Sequence, residues 1–322
     1  MADITKITFS DEDYKKAAEK WAPELLLMPL LTANDILQYM TGLPGIRGKY
    51  HFGAAESNAQ FAPFKADRKS ASNLDVKFRE IETFLGNVVE DFVPDDYLMY
   101  IIGQNAGFLG DTQKEAPSAK MVLAAVMKSL GYKLRQALFT AKRNPTGNTT
   151  ADLFDGWLTN IEKDIEAGEI DESKNNLLQL KDVISSANAV DLLKEVERSL
   201  DPQLRSQQKF YYCAPEVADA YNDNYLLTHS GIAYNTQFDQ PILEGSFNKS
   251  TLLPLDVLAG QDVIIVTTKE NMLYGFDSMS DVERIQVDRF ASFQLTLSAA
   301  MFFGTQIRSV DSRFCKVVKL VQ

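Results

Sequence analysis

The chain has 322 residues, 45% hydrophobic and 24% charged, a balance that excludes wholesale disorder and allows two domains or one elaborated one. Its formal net charge of −11 argues against a broad nucleic-acid-binding face, because neutralising phosphate takes clustered Lys and Arg. Two cysteines, Cys213 and Cys315, permit one bridge at most, which suits a reducing compartment and excludes a disulfide framework.

The N-terminal stretch MADITKITFSDEDYKK has no basic region followed by an apolar one, so no signal peptide is expected. Residues 10–22 predict a short amphipathic helix, with Ser10 and Asp13 placed as a capping box and Tyr14, Ala17, Ala18 and Trp21 at helical spacing. Pro23 and Pro29 are expected to interrupt the next stretch of chain, leaving an arm of short segments. The longest apolar patch, LLLMPLL at 25–31, is too short to span a bilayer, so a soluble, cytosolic chain is expected.

Residues 42–73 shift to Gly, Ala, Ser, Asn and basic residues with lone aromatics at Tyr50, Phe52, Phe61 and Phe64. Leu74, Val76 and Phe78 then alternate with Asp75, Lys77 and Arg79, the period of a half-exposed strand. Together they predict a long two-stranded excursion with a polar tip near 60–72. Such a hairpin is marginal alone and needs a partner surface.

KEAPSAKMVLAAVMKSLGYKLRQALFTAK (114–142) predicts one long helix. Pro117 suits its first turn, and Val122, Val126, Leu130, Leu134 and Leu138 form an apolar stripe. Pro145 and Gly147 end it. Residues 151–171 interleave Phe154, Trp157, Leu158 and Ile161 with acids, and 189–200 and 214–231 read as helices. From Ile242 onward the pieces TLLPLDVL, DVIIVT, NMLYGF, RIQV, FASFQLTLSAAMFFGTQI and CKVVKLV read as strands. DVIIVT and NMLYGF are expected to form a hairpin turning over Thr267 to Asn271. Helices followed by a run of strands indicate an α+β fold.

Motifs for chemistry fail on mechanical grounds. GLPGIRGKY (42–50) is one residue too long for a phosphate loop counted from Gly42, and Tyr50 stands where a metal-liganding Ser or Thr is needed. Of the two histidines, His51 and His229, the latter adjoins Ser230, but adjacent residues at a helix end point apart. A pairing of Cys213 with His229 is weighed against a buried structural cysteine, and the structural reading is the stronger. Cys213, Cys315, His51 and His229 lack zinc-site spacing. The acidic run Glu162, Asp164, Glu166, Glu169, Asp171 and Glu172 lacks the pattern of a calcium loop and reads as a solvated face. No catalytic, cofactor-binding or metal site, and no cofactor, is expected.

The order of parts resembles the major capsid proteins of tailed bacteriophages, the Hong Kong 97-like fold, over nearly the whole chain. TTADLFDGWLTNI (149–161), VLAGQDVIIVTTKENMLYGFDSMSDVERIQV and FQLTLSAAMFFGTQIRSVDSRFCKVVKLV carry the resemblance by apolar spacing. It implies an N-terminal arm over 1–45 and an extended β-hairpin loop over 46–84. It implies a peripheral domain from 85–148 and 284–322, with a spine helix at 114–142, and an axial domain over 149–283. The implied function is a non-enzymatic shell protein of a phage or prophage, self-assembling into hexamers and pentamers of an icosahedral head around double-stranded DNA. Scaffolding, portal and decoration proteins are implied partners. DNA would be enclosed without sequence-specific binding, and no membrane would be involved. The implied location is the virion, after assembly in the host bacterial cytoplasm. The chain begins almost directly with the arm, so a separate scaffold, or none, is expected. Lys65, Lys69 and Lys77 lie in the region where some relatives form Lys–Asn cross-links, and none can be matched to the reactive position. The same fold also serves encapsulin-type compartment shells. A third reading, a carboxylate-based hydrolase, would need an internal pocket with two facing acids.

Overall fold

The computed structural model describes residues 11–57, 63–65, 74–94, 96, 119–228, 242–277, 285–291 and 294–321. Helix α1 (Asp11–Thr32) runs unbroken through Pro23 and Pro29, where the sequence suggested a stop. Each interior proline costs about 3 kcal/mol. Tyr14, Leu25, Leu26 and Leu30 are all buried, at about 1.5–3 kcal/mol per large apolar side chain, so burial outweighs the prolines. The buried stripe packs along the long helix α3 (Ala119–Thr140), after the short α2 (Asn34–Leu37). At 22 residues α3 is about 33 Å long, and it buries Val122, Val126, Leu134 and Leu138 of the predicted stripe. Residues 114–118 of the predicted helix, with Pro117, and the Ser10 cap lie outside the described residues.

Among the described residues, three sheets organise the strands. The first has the order β1 (Thr41–Pro44), β9 (Met272–Phe276), β11 (Gln294–Ile307), β10 (Ile285–Ala291), with β4 (Phe84–Phe92) on the other side of β11. β1 is parallel to β9, and the remaining pairs are antiparallel. α1 and α3 cover the inner face through Leu25, Val126, Val287 and Leu297. The second sheet has the order β5 (Leu177–Gln179), β12 (Cys315–Lys319), β8 (Val263–Thr267), β6 (Lys209–Cys213), β7 (Ser250–Pro254). Helices α5 (Ala189–Arg198) and α7 (Pro215–Thr228), with the short α6 (Pro202–Ser206), pack on it through Leu193, Val196, Leu204 and Val217. The third sheet is the predicted hairpin, β2 (Lys49–Ser57) against β3 (Leu74–Glu82). A central cluster around α4 (Trp157–Glu166), Phe139 and Ile307 joins the two larger sheets.

The stretch DVIIVTTKENMLYGF is not a hairpin. β8 lies in the second sheet and β9 in the first, so residues 268–271 form a corner between sheets. The same corner is turned by a second chain segment. The end of β11 pairs with β9, and β12 pairs with β8, so a two-stranded antiparallel ribbon bends once and belongs to both sheets. Asn271 fixes the bend. It is buried, donates Nδ2 to Thr267 Oγ1 (2.8 Å) and to Ser309 O (2.9 Å), and accepts from Ser309 N (2.7 Å). Asn271→Ala would take this partner from the half-buried Ser309 N–H and carbonyl and from the Thr267 hydroxyl, at about 1–3 kcal/mol for each group left unsatisfied. We expect a clear fall in Tm by calorimetry, with secondary structure retained; an unchanged Tm would show that the corner is held elsewhere.

The second sheet holds two buried lysines. Lys209 lies 3.0 Å from the Glu197 carboxylate, which also accepts from Tyr211 Oη (2.6 Å) and Ser250 Oγ (2.8 Å). Lys316 donates Nζ to Asn175 Oδ1 (3.0 Å) and to Ser199 O (2.8 Å), capping the end of α5. Burial pushes the Lys316 pKa below the ordinary 10.5. Between the lowered value and 10.5 the unfolded chain binds more protons, so this residue makes stability rise with pH in that window. Tyr211 and Tyr212, pushed up by burial, act in the opposite sense only above pH 10. We therefore expect urea unfolding to show a Lys316→Met variant gaining less stability than wild type as the pH rises towards the ordinary lysine value of 10.5. Parallel curves would refute the assignment.

Candidate assembly elements

The hairpin β2–β3 stands outside the larger sheets, yet its root is anchored in three places. Arg79 on β3 makes a bidentate pair with Asp164 on α4 (3.3 and 2.8 Å), donates Nε to Ile307 O (3.1 Å) and donates Nη2 to Gln306 Oε1 (3.1 Å). Gln306 Nε2 in turn donates to Glu80 O (3.0 Å). The Asp164 member of the acidic run is thus a partly buried anchor, whereas Glu162, Glu166, Glu169, Asp171 and Glu172 are exposed, as a solvated face requires. Arg47, at the start of the excursion, pairs with the buried Asp277 at the end of β9 (2.9 Å).

The third anchor is Thr83, buried between β3 and β4. Its backbone N–H donates to Gly48 O (2.8 Å), and its Oγ1 accepts from Gly48 N (3.0 Å) and donates to Ile46 O (3.0 Å). Gly48 has φ +88°, a left-handed conformation that favours glycine, and it turns the chain into β2. Gly304 on β11 passes so close that a Cβ there would lie 2.2 Å from Glu82 O. The glycines of GLPGIRG therefore serve a strand and a turn, not a phosphate cradle: Gly42 lies in β1, paired with Tyr274.

Beyond the root the hairpin is polar and aromatic. Lys49 reaches Glu80 (2.8 Å), and His51 Nδ1 sits 3.5 Å from the same carboxylate. Phe78 is 72% exposed, and Phe64 in the tip region is 92% exposed. The hairpin thus anchors its base and leaves these aromatic rings exposed. Lys65 is exposed; Lys69 and the side chain of Lys77 lie outside the described residues.

The remaining candidates do not converge. Cys213 and Cys315 are both buried, in different core clusters, and burial pushes each thiol up to about 12, far from a reactive thiolate. His229 and Ser230 lie outside the described residues. An open cleft of about 1060 Å³ lies between the hairpin root and the ribbon corner. Its acids include Glu169 and Asp311, which pair with Lys174 (3.5 Å) and Arg313 (2.8 Å). Among the described residues no group of three or more His, Cys, Asp or Glu could hold a metal, and no helix is long and apolar enough to cross a membrane. The sequence reading missed β1, β4, β5 and β6. It also missed the role of Arg79, for which an isolated arginine at the end of an alternating strand was the sole signal.

No protein-family model and no curated protein matches the sequence. Solved structures do match the fold. A chain of the satellite phage P4 procapsid, in the structure that includes the size determination protein, is 13% identical with a TM-score of 0.59. That match covers 94% of this chain and 91% of the other. The capsid of the native GTA particle is 11% identical over 90% and 91% of the two chains, with a TM-score of 0.50. The holo-SrpI encapsulin complex from Synechococcus elongatus PCC 7942 is 12% identical over 89% and 86%, also at 0.50. At these identities the likeness is one of fold. The chain has the Hong Kong 97-like capsid fold, mixed helix and sheet, as the order of its parts implied.

Proposed function

We propose that this chain is a shell subunit: the major capsid protein of a tailed phage or prophage, assembling into hexamers and pentamers of a head that encloses double-stranded DNA. The observation that carries the reading is the hairpin, rigidly rooted by Arg79, Arg47 and Thr83 and carrying the exposed rings of Phe78 and Phe64, in a chain of capsid fold. A subunit that gains its stability internally has no use for such an element; one that lies across a neighbour does. Many weak contacts of this kind become durable once each subunit is held by several others. An acidic wall does not grip DNA, which packing favours, and packaged DNA brings its own counterions.

Residues 1–45 would be the arm and 46–84 the extended loop. Residues 85–148 and 284–322 would form the peripheral domain, and 149–283 the axial domain. Sheet membership supports this division over most of its length, with β9 lending a strand to the peripheral sheet and β12 to the axial one. The work is structural, without catalytic residues, cofactor or metal. Portal and decoration proteins would be partners, and a scaffolding protein where one is needed. Assembly would occur in the host bacterial cytoplasm, with the mature protein in the virion.

The match to an encapsulin chain favours a second reading, a compartment shell, and the higher score of the procapsid match favours the first. Electron microscopy of the expressed protein, with and without the neighbouring genes, tests the proposal. Rings or megadalton particles are expected. A strict monomer at high concentration under every condition would defeat it, and an enclosed protein cargo would select the compartment reading.

A further inference from the structure

The turn between Leu243 and β7 carries Phe247 at φ 53° and Asn248 at φ 61°, just after Gly245 at φ 82°. A left-handed backbone is costly for a bulky side chain and persists only where its surroundings enforce it. Here they do. Ser246 is buried and donates Oγ to Leu243 O (2.6 Å), Lys249 N donates to Ser246 O (3.0 Å), and Gln208 Nε2 donates to Asn248 O (3.3 Å). On the other flank Glu244 N donates to Tyr221 Oη on α7 (2.9 Å). What this pinned turn presents is an aromatic ring 84% exposed. Strained backbone and solvated ring both cost free energy, and neither cost is returned within the described residues.

The position of the turn says where the return comes from. It leads into β7, the outermost strand of the second sheet, and β5 is the outermost strand of the opposite edge. The β7 end is electropositive: Lys194, Arg205, Lys209 and Lys249 gather there against two carboxylates, Glu197 paired with Lys209 and Glu244 paired with Lys194. The segment leading into β5 is the reverse: Glu166, Glu169, Asp171 and Glu172 are exposed, against Lys174, which pairs with Glu169. One edge offers a protruding ring and positive charge, the other negative charge. Different and complementary patches on one chain are what a head-to-tail contact between copies requires.

We infer that successive copies of this chain meet edge to edge across the second sheet, with Phe247 and Lys249 of one copy seated against the acidic segment before β5 of the next. This contact rests on the shell reading and assigns the exposed acidic run to that interface. Four proteins test it: wild type, Phe247→Gly, Lys249→Glu and the double variant Lys249→Glu with Glu172→Lys. Each is scored for the concentration at which particles form and for the Tm of dispersed subunits. Phe247→Gly should raise the assembly concentration by about tenfold or more while the subunit Tm stays level or rises, because glycine accepts the left-handed turn. Lys249→Glu should impair assembly similarly, and the charge swap should restore part of the loss. Should Phe247→Gly disturb folding, the swap decides alone. Single variants that assemble within about twofold of wild type, or a double variant no better than Lys249→Glu, would overturn the contact. Wild-type protein forming no ring or particle would overturn the shell reading first, and the contact with it.

Discussion

Shortening the hairpin should abolish assembly and spare the subunit. In the β2–β3 register Ala54 faces Lys77, so joining these two residues through an Asn-Gly turn removes 55–76 and leaves the pairing below intact. All three anchors lie below the cut: Arg79 to Asp164, Arg47 to Asp277, and Thr83 to Gly48. So does Ile81, the fully buried residue of the small cluster at the root. Of the removed part, the described side chains Pro63, Phe64 and Lys65 are exposed and belong to none of the buried core clusters. We expect cooperative unfolding with a Tm within about 2–4 °C of wild type, the shift of roughly 1 kcal/mol, and no particles by microscopy at any concentration at which wild type assembles. Loss of cooperative unfolding would place the excursion in the subunit core and remove the main support for the shell reading.

Arg79→Ala should have a different signature, lowering stability and assembly together. The Arg79–Asp164 pair is only 20% and 16% exposed, between the surface case, worth little, and the fully buried case, where breaking one partner costs about 3–5 kcal/mol. We expect a loss of about 2–3 kcal/mol, read as a drop in urea midpoint at unchanged slope. The lost carbonyl and Gln306 bonds also free the hairpin to pivot about Gly48, so assembly should fall further than lost stability explains. Arg79→Lys should recover part of the stability but little of the assembly, because an ammonium cannot make the bidentate pair that sets direction. If Arg79→Ala assembled normally at a lowered Tm, the arginine would be structural and the hairpin's direction set elsewhere.

Local periodicity determined much of this protein from sequence. The stripe Val122, Val126, Leu134 and Leu138 made α3 readable because one helical face meets one core. The alternation Leu74, Val76 and Phe78 made β3 readable by its period of two, although Phe78 on that face is exposed. The polar composition of 42–73 showed an excursion unable to bury itself.

Tertiary structure alone decided three things. It carried α1 through Pro23 and Pro29, because the burial of Leu25, Leu26 and Leu30 against α3 exceeds a local cost that sequence shows without its compensation. It split β8 from β9, because a strand's partner is fixed by non-local pairing with β11 and β12, and TTKEN suits a tight reversal as well as a corner between sheets. It also joined Arg79 to Asp164, 85 residues apart, by bringing a strand end against a helix. Periodicity reports which face of an element is buried and leaves open what buries it. The polar excursion itself was therefore legible in the chain, and its rigid root became visible only once the chain was folded.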